Sequence, residues 1–160
     1  MSEEKIGPYA KRLQSAREQV GKSVEELAAL VGINEPSYYD LESYDDEVLT
    51  CISIQQFALL CRLLHLSPPD LFAEEFKAEQ AEIGLNSLVT RVRSYIETHR
   101  ITLPEFEDCV GWDLAPFLES PTELVAERYN IDALRDVCKE LGLNWVNALT
   151  GIISQVEEDV

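Results

Sequence analysis

Two groups of side chains in this 160-residue sequence have types and spacing suited to chemistry. Cys61 and His65 stand four positions apart in an apolar helical run, the separation at which two side chains on one helix can share a metal ion. A structural zinc site needs four ligands, and no second pair accompanies these two, so a core thiol beside a partly exposed histidine is expected instead. The second group is the acidic run Asp40, Glu42, Asp45, Asp46 and Glu47, with Tyr39 and Tyr44 interleaved. Its spacing lacks the glycine and the closing glutamate of an EF-hand loop, which weighs against a divalent cation. Two readings then compete. Most charge runs are solvated loops. Alternatively, Tyr39, Asp40, Tyr44, Asp45, Asp46 and Glu47 form a docking surface for a basic protein, with aromatic anchors for contact and charges to steer association. No phosphate loop, His-Glu-x-x-His pair or elbow serine occurs, and His99 lies far in sequence from every cysteine except Cys109. No catalytic residue, metal or cofactor is therefore assigned, and an enzyme is not expected.

Charge bounds the partner more tightly than composition does. Thirteen Lys and Arg face 30 Asp and Glu, a net charge of −17. The deficit is even: residues 1–76 carry 6 basic and 14 acidic groups, and residues 77–160 carry 7 and 16. A dedicated DNA binder gains affinity by neutralising phosphates, so a chain this acidic repels a polyanion at long range unless a local basic face overrides the total. The opening MSEEKIGPYAKR lacks the apolar stretch of a signal peptide, and no apolar run is long enough to span a membrane. A cytoplasmic protein is expected. Cys51, Cys61, Cys109 and Cys138 are too scattered for a disulfide framework, and Cys61 and Cys138 fall in apolar helical runs as buried thiols.

The acidic run must be positioned by the helices around it. Pro8 suits the first turn of a helix reaching about Val20, with Leu13, Ala16 and Val20 inward. Ser23 with Glu26 reads as a capping box, and Leu27, Ala28, Leu30 and Val31 supply an apolar stripe that Gly32 ends. Asn34 caps a second short helix whose Tyr38 and Leu41 face inward. Together these make a helix-turn-helix. Ser43 to Thr50 reads as a loop. Ser53 and Gln56 form another capping box before a helix bearing Ile54, Phe57, Ala58, Cys61, Leu64 and Leu66, and Ser67-Pro68 opens a last short one. The charged stretch 76–86 reads as a helical connector ending near Gly84.

The pattern Leu13, Arg17, Leu27-Ala28, Val31-Gly32-Ile33 and Leu41-Glu42, followed by ISIQQFALLCRLLHLSPPDLF, resembles the Xre/Cro-type, or lambda-repressor-like, helix-turn-helix proteins over residues 9–75. The resemblance implies an ion pair between Arg17 and Glu42 and a transcriptional regulator that binds operator DNA, usually as a dimer. It also places Glu35, Pro36, Ser37, Tyr39 and Asp40 outward on the recognition helix. Base reading needs donors that fork onto guanine or adenine. Ser37 and Tyr39 are the only donors here, and Lys22 is the nearest positive charge, so Lys22, Ser37 and Tyr39 are the DNA-binding candidates.

The second half repeats the first. Shifted by 79, Ser23 falls on Thr102, Leu27 on Phe106, Val31 on Val110 and Gly32 on Gly111; shifted by 77, Ile54 falls on Ile131, Phe57 on Leu134, Cys61 on Cys138 and Leu66 on Leu143. Arg17 maps to Ile96 and Glu42 to Pro121, so both members of the implied pair are lost together, which need cost little. Pro116 and Pro121 confine the second recognition-like helix to about 114–120. Trp112 is expected in the core, Trp145 as a lid over it or an interface anchor, and the tail VEEDV as a solvated end.

The expected fold is all-α: two tandem five-helix repressor-like units, 1–75 and a degenerate 87–160, joined by the helical connector 76–86 and free to pack with pseudo-two-fold symmetry. The leading expectation for function is a non-enzymatic regulatory protein acting through a protein partner, as an antitoxin, an immunity factor or a modulator of a regulator. The alternatives are a DNA-binding repressor whose second unit mediates dimerisation, and an acidic mimic of DNA. A homodimer is left open.

Overall fold

A computed structural model describes residues 6–158, with side chains through 156. The described chain is all-α. Its helices are α1 (Pro8–Val20), α2 (Val24–Val31), α3 (Glu35–Leu41), α4 (Glu47–Thr50), α5 (Ile54–Leu64), α6 (Pro68–Leu71), α7 (Leu85–His99), α8 (Leu103–Val110), α9 (Ala115–Glu119), α10 (Thr122–Arg128), α11 (Ile131–Leu141) and α12 (Trp145–Glu158).

The capping residues start these helices for the reason the sequence suggests: a side-chain oxygen takes one of the amide donors left open in the first turn. Glu26 N–H donates to Ser23 at 3.1 Å, Ser37 N–H to Asn34 at 2.8 Å, and Ala133 N–H to Asn130 at 2.9 Å. Ser53 and Gln56 close a full reciprocal box. Gly32 and Gly111 end α2 and α8 at φ 86° and 81°, where a side chain would be strained. The other two such turns hold Gly in one half and a larger residue in the other. Gly21 (71°) corresponds to Arg100 (53°), and His65 (55°) to Gly142 (71°). Left-handed backbone costs a non-glycine residue about 1 kcal/mol, so the surrounding packing imposes these turns on Arg100 and His65.

Helix boundaries follow the two sequence offsets. A shift of 79 carries α2 onto α8 with both ends coinciding, and a shift of 77 does the same for α5 and α11. The halves diverge at α6, a single turn, and α12, whose apolar positions Val146, Leu149, Ile152, Ile153 and Val156 prolong it to 14 residues.

Four expectations are corrected. Of the connector 76–86 only Leu85 and Asn86 are helical, as the start of α7: turns and irregular chain run from Phe72 to Gly84. Its carbonyls are claimed from outside. Asn144 Nδ2 donates to Glu75 O (2.7 Å), and Asn147 Nδ2 to Lys77 O (3.1 Å) and Gln80 O (2.8 Å). Ser43 to Thr50 is not all loop, because Val48 and Leu49 are buried and draw α4 into one helical turn. With α10, which the sequence reading did not assign, each half has six helices rather than five. Lastly, Val156 is buried, so the tail VEEDV does not begin as a solvated end. Its remaining side chains lie outside the described residues.

The two segments read as separate domains share one hydrophobic cluster. Helices α4 and α5 pack on α11 and α10 respectively, and α12 packs on α5, α6, α7, α10 and α11. Phe72 lies at this seam, with ring centroids 4.8 Å from Tyr9, 5.7 Å from Phe57 and 4.9 Å from Trp145. Trp145 is thus half-buried between the halves. Trp112 is also half-buried rather than fully in the core, with Nε1 donating to Asp136 at 2.9 Å.

Candidate docking surface

Helix α3 buries Tyr38 and Leu41 and turns Glu35, Tyr39 and Asp40 outward. The buried face is held by an ion pair: Arg17 Nε donates to the Glu42 carboxylate at 2.7 and 3.2 Å, and Arg17 Nη1 donates to Lys22 O at 3.2 Å. Glu42 is only 7% exposed and the Arg17 side chain 17%. One guanidinium therefore ties α1 to the α1–α2 turn and to the end of α3. The Tyr38 hydroxyl lies buried with no hydrogen-bond partner, and burial, with Glu42's charge adding to it, raises its pKa.

Beyond α3 the chain turns through side-chain bonds to its own backbone. Ser43 Oγ donates to Tyr39 O at 2.7 Å, and the Ser43 and Tyr44 amides donate to Asp40 O. This leaves Tyr39 56% and Tyr44 52% exposed, unusually open for large side chains, with Asp40 and Asp46 exposed beside them. Glu47 is half-buried and accepts from the Cys51 thiol, which raises that thiol's pKa.

Asp45 departs from the expected docking set. Its Oδ1 accepts the Ala10 amide at 3.0 Å, and a Cβ added at Gly7 would sit on its carboxylate. The side chain caps α1, where Gly7 offers none, and its charge faces the positive end of that helix's dipole. Asp45→Ala is expected to lower stability by about 1 kcal/mol, read as a lower urea midpoint at unchanged slope. An unchanged midpoint would remove this assignment. The sequence held one hint, a helix opening on Gly-Pro with no capping side chain nearby.

Two of the positive residues of α1 are bonded to carboxylates. Arg12 donates to Leu71 O and Glu74 Oε2, each at 2.7 Å, and holds the Glu74 carboxyl below the usual carboxylate range. Arg17 is taken by Glu42. Lys22 is half-buried and Lys11 exposed, and Ser37 is half-buried with its amide bonded to Asn34. The guanidinium nearest Lys22 in the hydrogen-bond network, that of Arg17, is thus bonded to Glu42.

Cys61 is buried, whereas His65 is exposed and leaves the helix as its left-handed cap. Burial pushes the Cys138 thiol up to about 12. Among the described residues no group of three or more His, Cys, Asp or Glu is placed to hold a metal ion, and no helix is long and apolar enough to cross a membrane. The class these features define is an all-α chain with an acidic, aromatic surface on α3 and the loop after it. Comparison with protein-family models, curated proteins and solved structures finds no match to this chain.

Proposed function

We propose that this chain is a non-enzymatic regulatory protein, built from two repressor-like helix-turn-helix units, that uses α3 and the loop after it to bind a basic protein partner. One observation carries the reading. From Ser23 to Cys61 the sequence holds eight Asp and Glu and no Lys, Arg or His, and this stretch surrounds the exposed Tyr39 and Tyr44. Aromatic side chains left open among charges of one sign are anchors for a partner of the opposite sign, and the charges raise the rate of encounter. A phosphate backbone meets repulsion on the same surface. The tandem units are supported by the coincident helix ends and by the shared turns at Gly32 and Gly111.

The test is affinity capture from nuclease-treated native lysate at low and moderate salt, with the wild-type chain and a Tyr39→Ala/Tyr44→Ala variant of equal charge. The expected result is a partner retained by the wild type and lost, by about tenfold or more in affinity, in the variant. Retention of the same proteins by both would refute the reading.

The Arg17–Glu42 pair favours a second reading, an Xre-type repressor, because the resemblance implies that pair in DNA-binding members and it forms here. In that case operator binding would fall steeply with salt and weaken on Ser37→Ala, whereas the protein-partner reading predicts no sequence-selective shift of duplex DNA.

A further inference from the structure

We propose that the cleft between α7 and the end of α11 binds a carboxylate carried on an apolar or aromatic body, with Arg91 as its two-pronged anchor. The inference is independent of the α3 reading and survives its failure.

The cleft occurs twice, once in each half. The first lies between α1 and α6, where Arg12, Ser15, Gln19 and Leu66 line it. The second measures about 250 Å³ and is lined by Arg91, Ser94, Thr98 and Leu143. These are equivalent positions. The offset of 79 carries Arg12 onto Arg91, Ser15 onto Ser94 and Gln19 onto Thr98, and the offset of 77 carries Leu66 onto Leu143. On the same helix Arg17 gives way to Ile96, so the arginine at the cleft is kept where its neighbour is not.

The first half shows what this arginine holds. Arg12 Nη1 and Nη2 donate to the two carboxylate oxygens of Glu74 at 2.5 and 2.7 Å, and Nη1 also donates to Leu71 O at 2.7 Å. Two parallel bonds of this kind are how a guanidinium recognises a carboxylate. Neither partner has a counterpart in the second half. Glu74 corresponds to Gly151, where the backbone of Ile83 leaves no room for a side chain. Leu71 ends α6, whereas its equivalent Ala148 lies inside α12, and a helix uses such a carbonyl for its own ladder. Arg91 is left exposed, with no hydrogen-bond or ion-pair partner among the described residues.

The walls suit an external acid. Among the described residues no carboxylate lines the second cleft: Asp70 of the first becomes Asn147, and Glu140 accepts the Tyr95 hydroxyl at 2.8 Å. The Ser94 and Thr98 hydroxyls stand one turn apart beside Arg91 and add donors for carboxylate oxygens. Tyr95, with the His99 ring stacked on it at 3.9 Å, and Leu143 supply an apolar wall. The field of a chain at −17 disfavours a bare anion, so contact area on that wall must add to the ion pair. An acid with a hydrophobic body meets both needs.

The probe is sodium benzoate, titrated at constant ionic strength into the isotope-labelled full-length chain and followed by the amide and arginine Nε–H resonances. Saturable shifts are expected at Arg91, Ser94 and Thr98 and not with benzamide, while the Arg12 signal stays in place because Glu74 fills its fork. Arg91→Lys keeps the charge but loses the fork, and should weaken binding by about tenfold. Glu74→Ala should open the first cleft and add a saturable shift at Arg12. Repeating the titration with N-acetylphenylalanine separates the two sources of such a group: tighter binding than benzoate assigns the cleft to a chain end, weaker binding to a free acid. No saturable shift at Arg91 with either acid, an equal response to benzamide, binding indifferent to Arg91→Lys, or an Arg12 that stays silent in Glu74→Ala would overturn the proposal.

Discussion

Gly151→Val is expected to lower the stability of the whole chain by about 3 kcal/mol, because α12 has no room for a side chain where the connector crosses it. A Cβ at Gly151 would meet the Ile83 carbonyl oxygen at 2.4 Å and its carbon at 2.6 Å, and these are backbone atoms that cannot rotate away. The connector cannot easily retreat, since α12 binds it on both sides of that contact. Asn144 and Asn147 donate to the carbonyls of Glu75, Lys77 and Gln80, Ile83 N–H donates to Asn147 O at 3.3 Å, and Leu85 N–H donates to Gln155 Oε1 at 2.9 Å. Asn147 is almost fully buried, so losing its partners would leave polar atoms dry. Because α12 packs on α5 and α6 as well as α10 and α11, the damage should be global. Urea unfolding followed by helical signal and by tryptophan fluorescence should shift together to a lower midpoint. An unchanged midpoint, or separation of the two signals into a stable first half and an unfolded second, would defeat the argument.

The same crossing shows why a helical pattern in the connector does not become a helix. Phe76 and Ile83 stand seven apart, a helical spacing, and both pack against the core. Local pattern therefore favoured a helix. The outcome was decided by Asn144, Asn147 and Gln155, about 70 residues downstream, whose amides occupy backbone groups that a helix would have paired internally. Where structure depends on neighbours in sequence, it was legible: the caps at Ser23, Asn34 and Ser53, the turn at Gly32, and the inward faces of α2, α3 and α5. Where it depends on distant contacts it was not. Asp45 reads as one more carboxylate in an acidic run, and its bond to Ala10 appears only once the loop has folded back onto α1. The candidate face was legible for a different reason. Net charge and the absence of cations are properties of composition, and Tyr39 and Tyr44 fall outward simply because Tyr38 and Leu41 fall inward.

Breaking the ion pair behind that face should be costly on one side and recoverable on both. Arg17→Met is expected to cost about 3 kcal/mol, because it strands a nearly buried carboxylate at Glu42. Glu42→Leu should cost less: the Arg17 guanidinium keeps its bond to Lys22 O and can extend toward solvent. The double variant should recover most of the loss, giving a coupling energy of about 2 kcal/mol in a thermodynamic cycle. The second half holds Ile96 and Pro121 at the equivalent positions and still forms α7 and α9, so the scaffold tolerates both charges being absent. What the pair supplies is orientation. It fixes the end of α3, from which the exposed Tyr39 and the turn to Tyr44 depart. The double variant should therefore regain most of the stability while binding a basic partner more weakly through the α3 face. Unchanged stability in the single variants with undiminished partner binding in the double would show that the pair neither holds nor aims the helix.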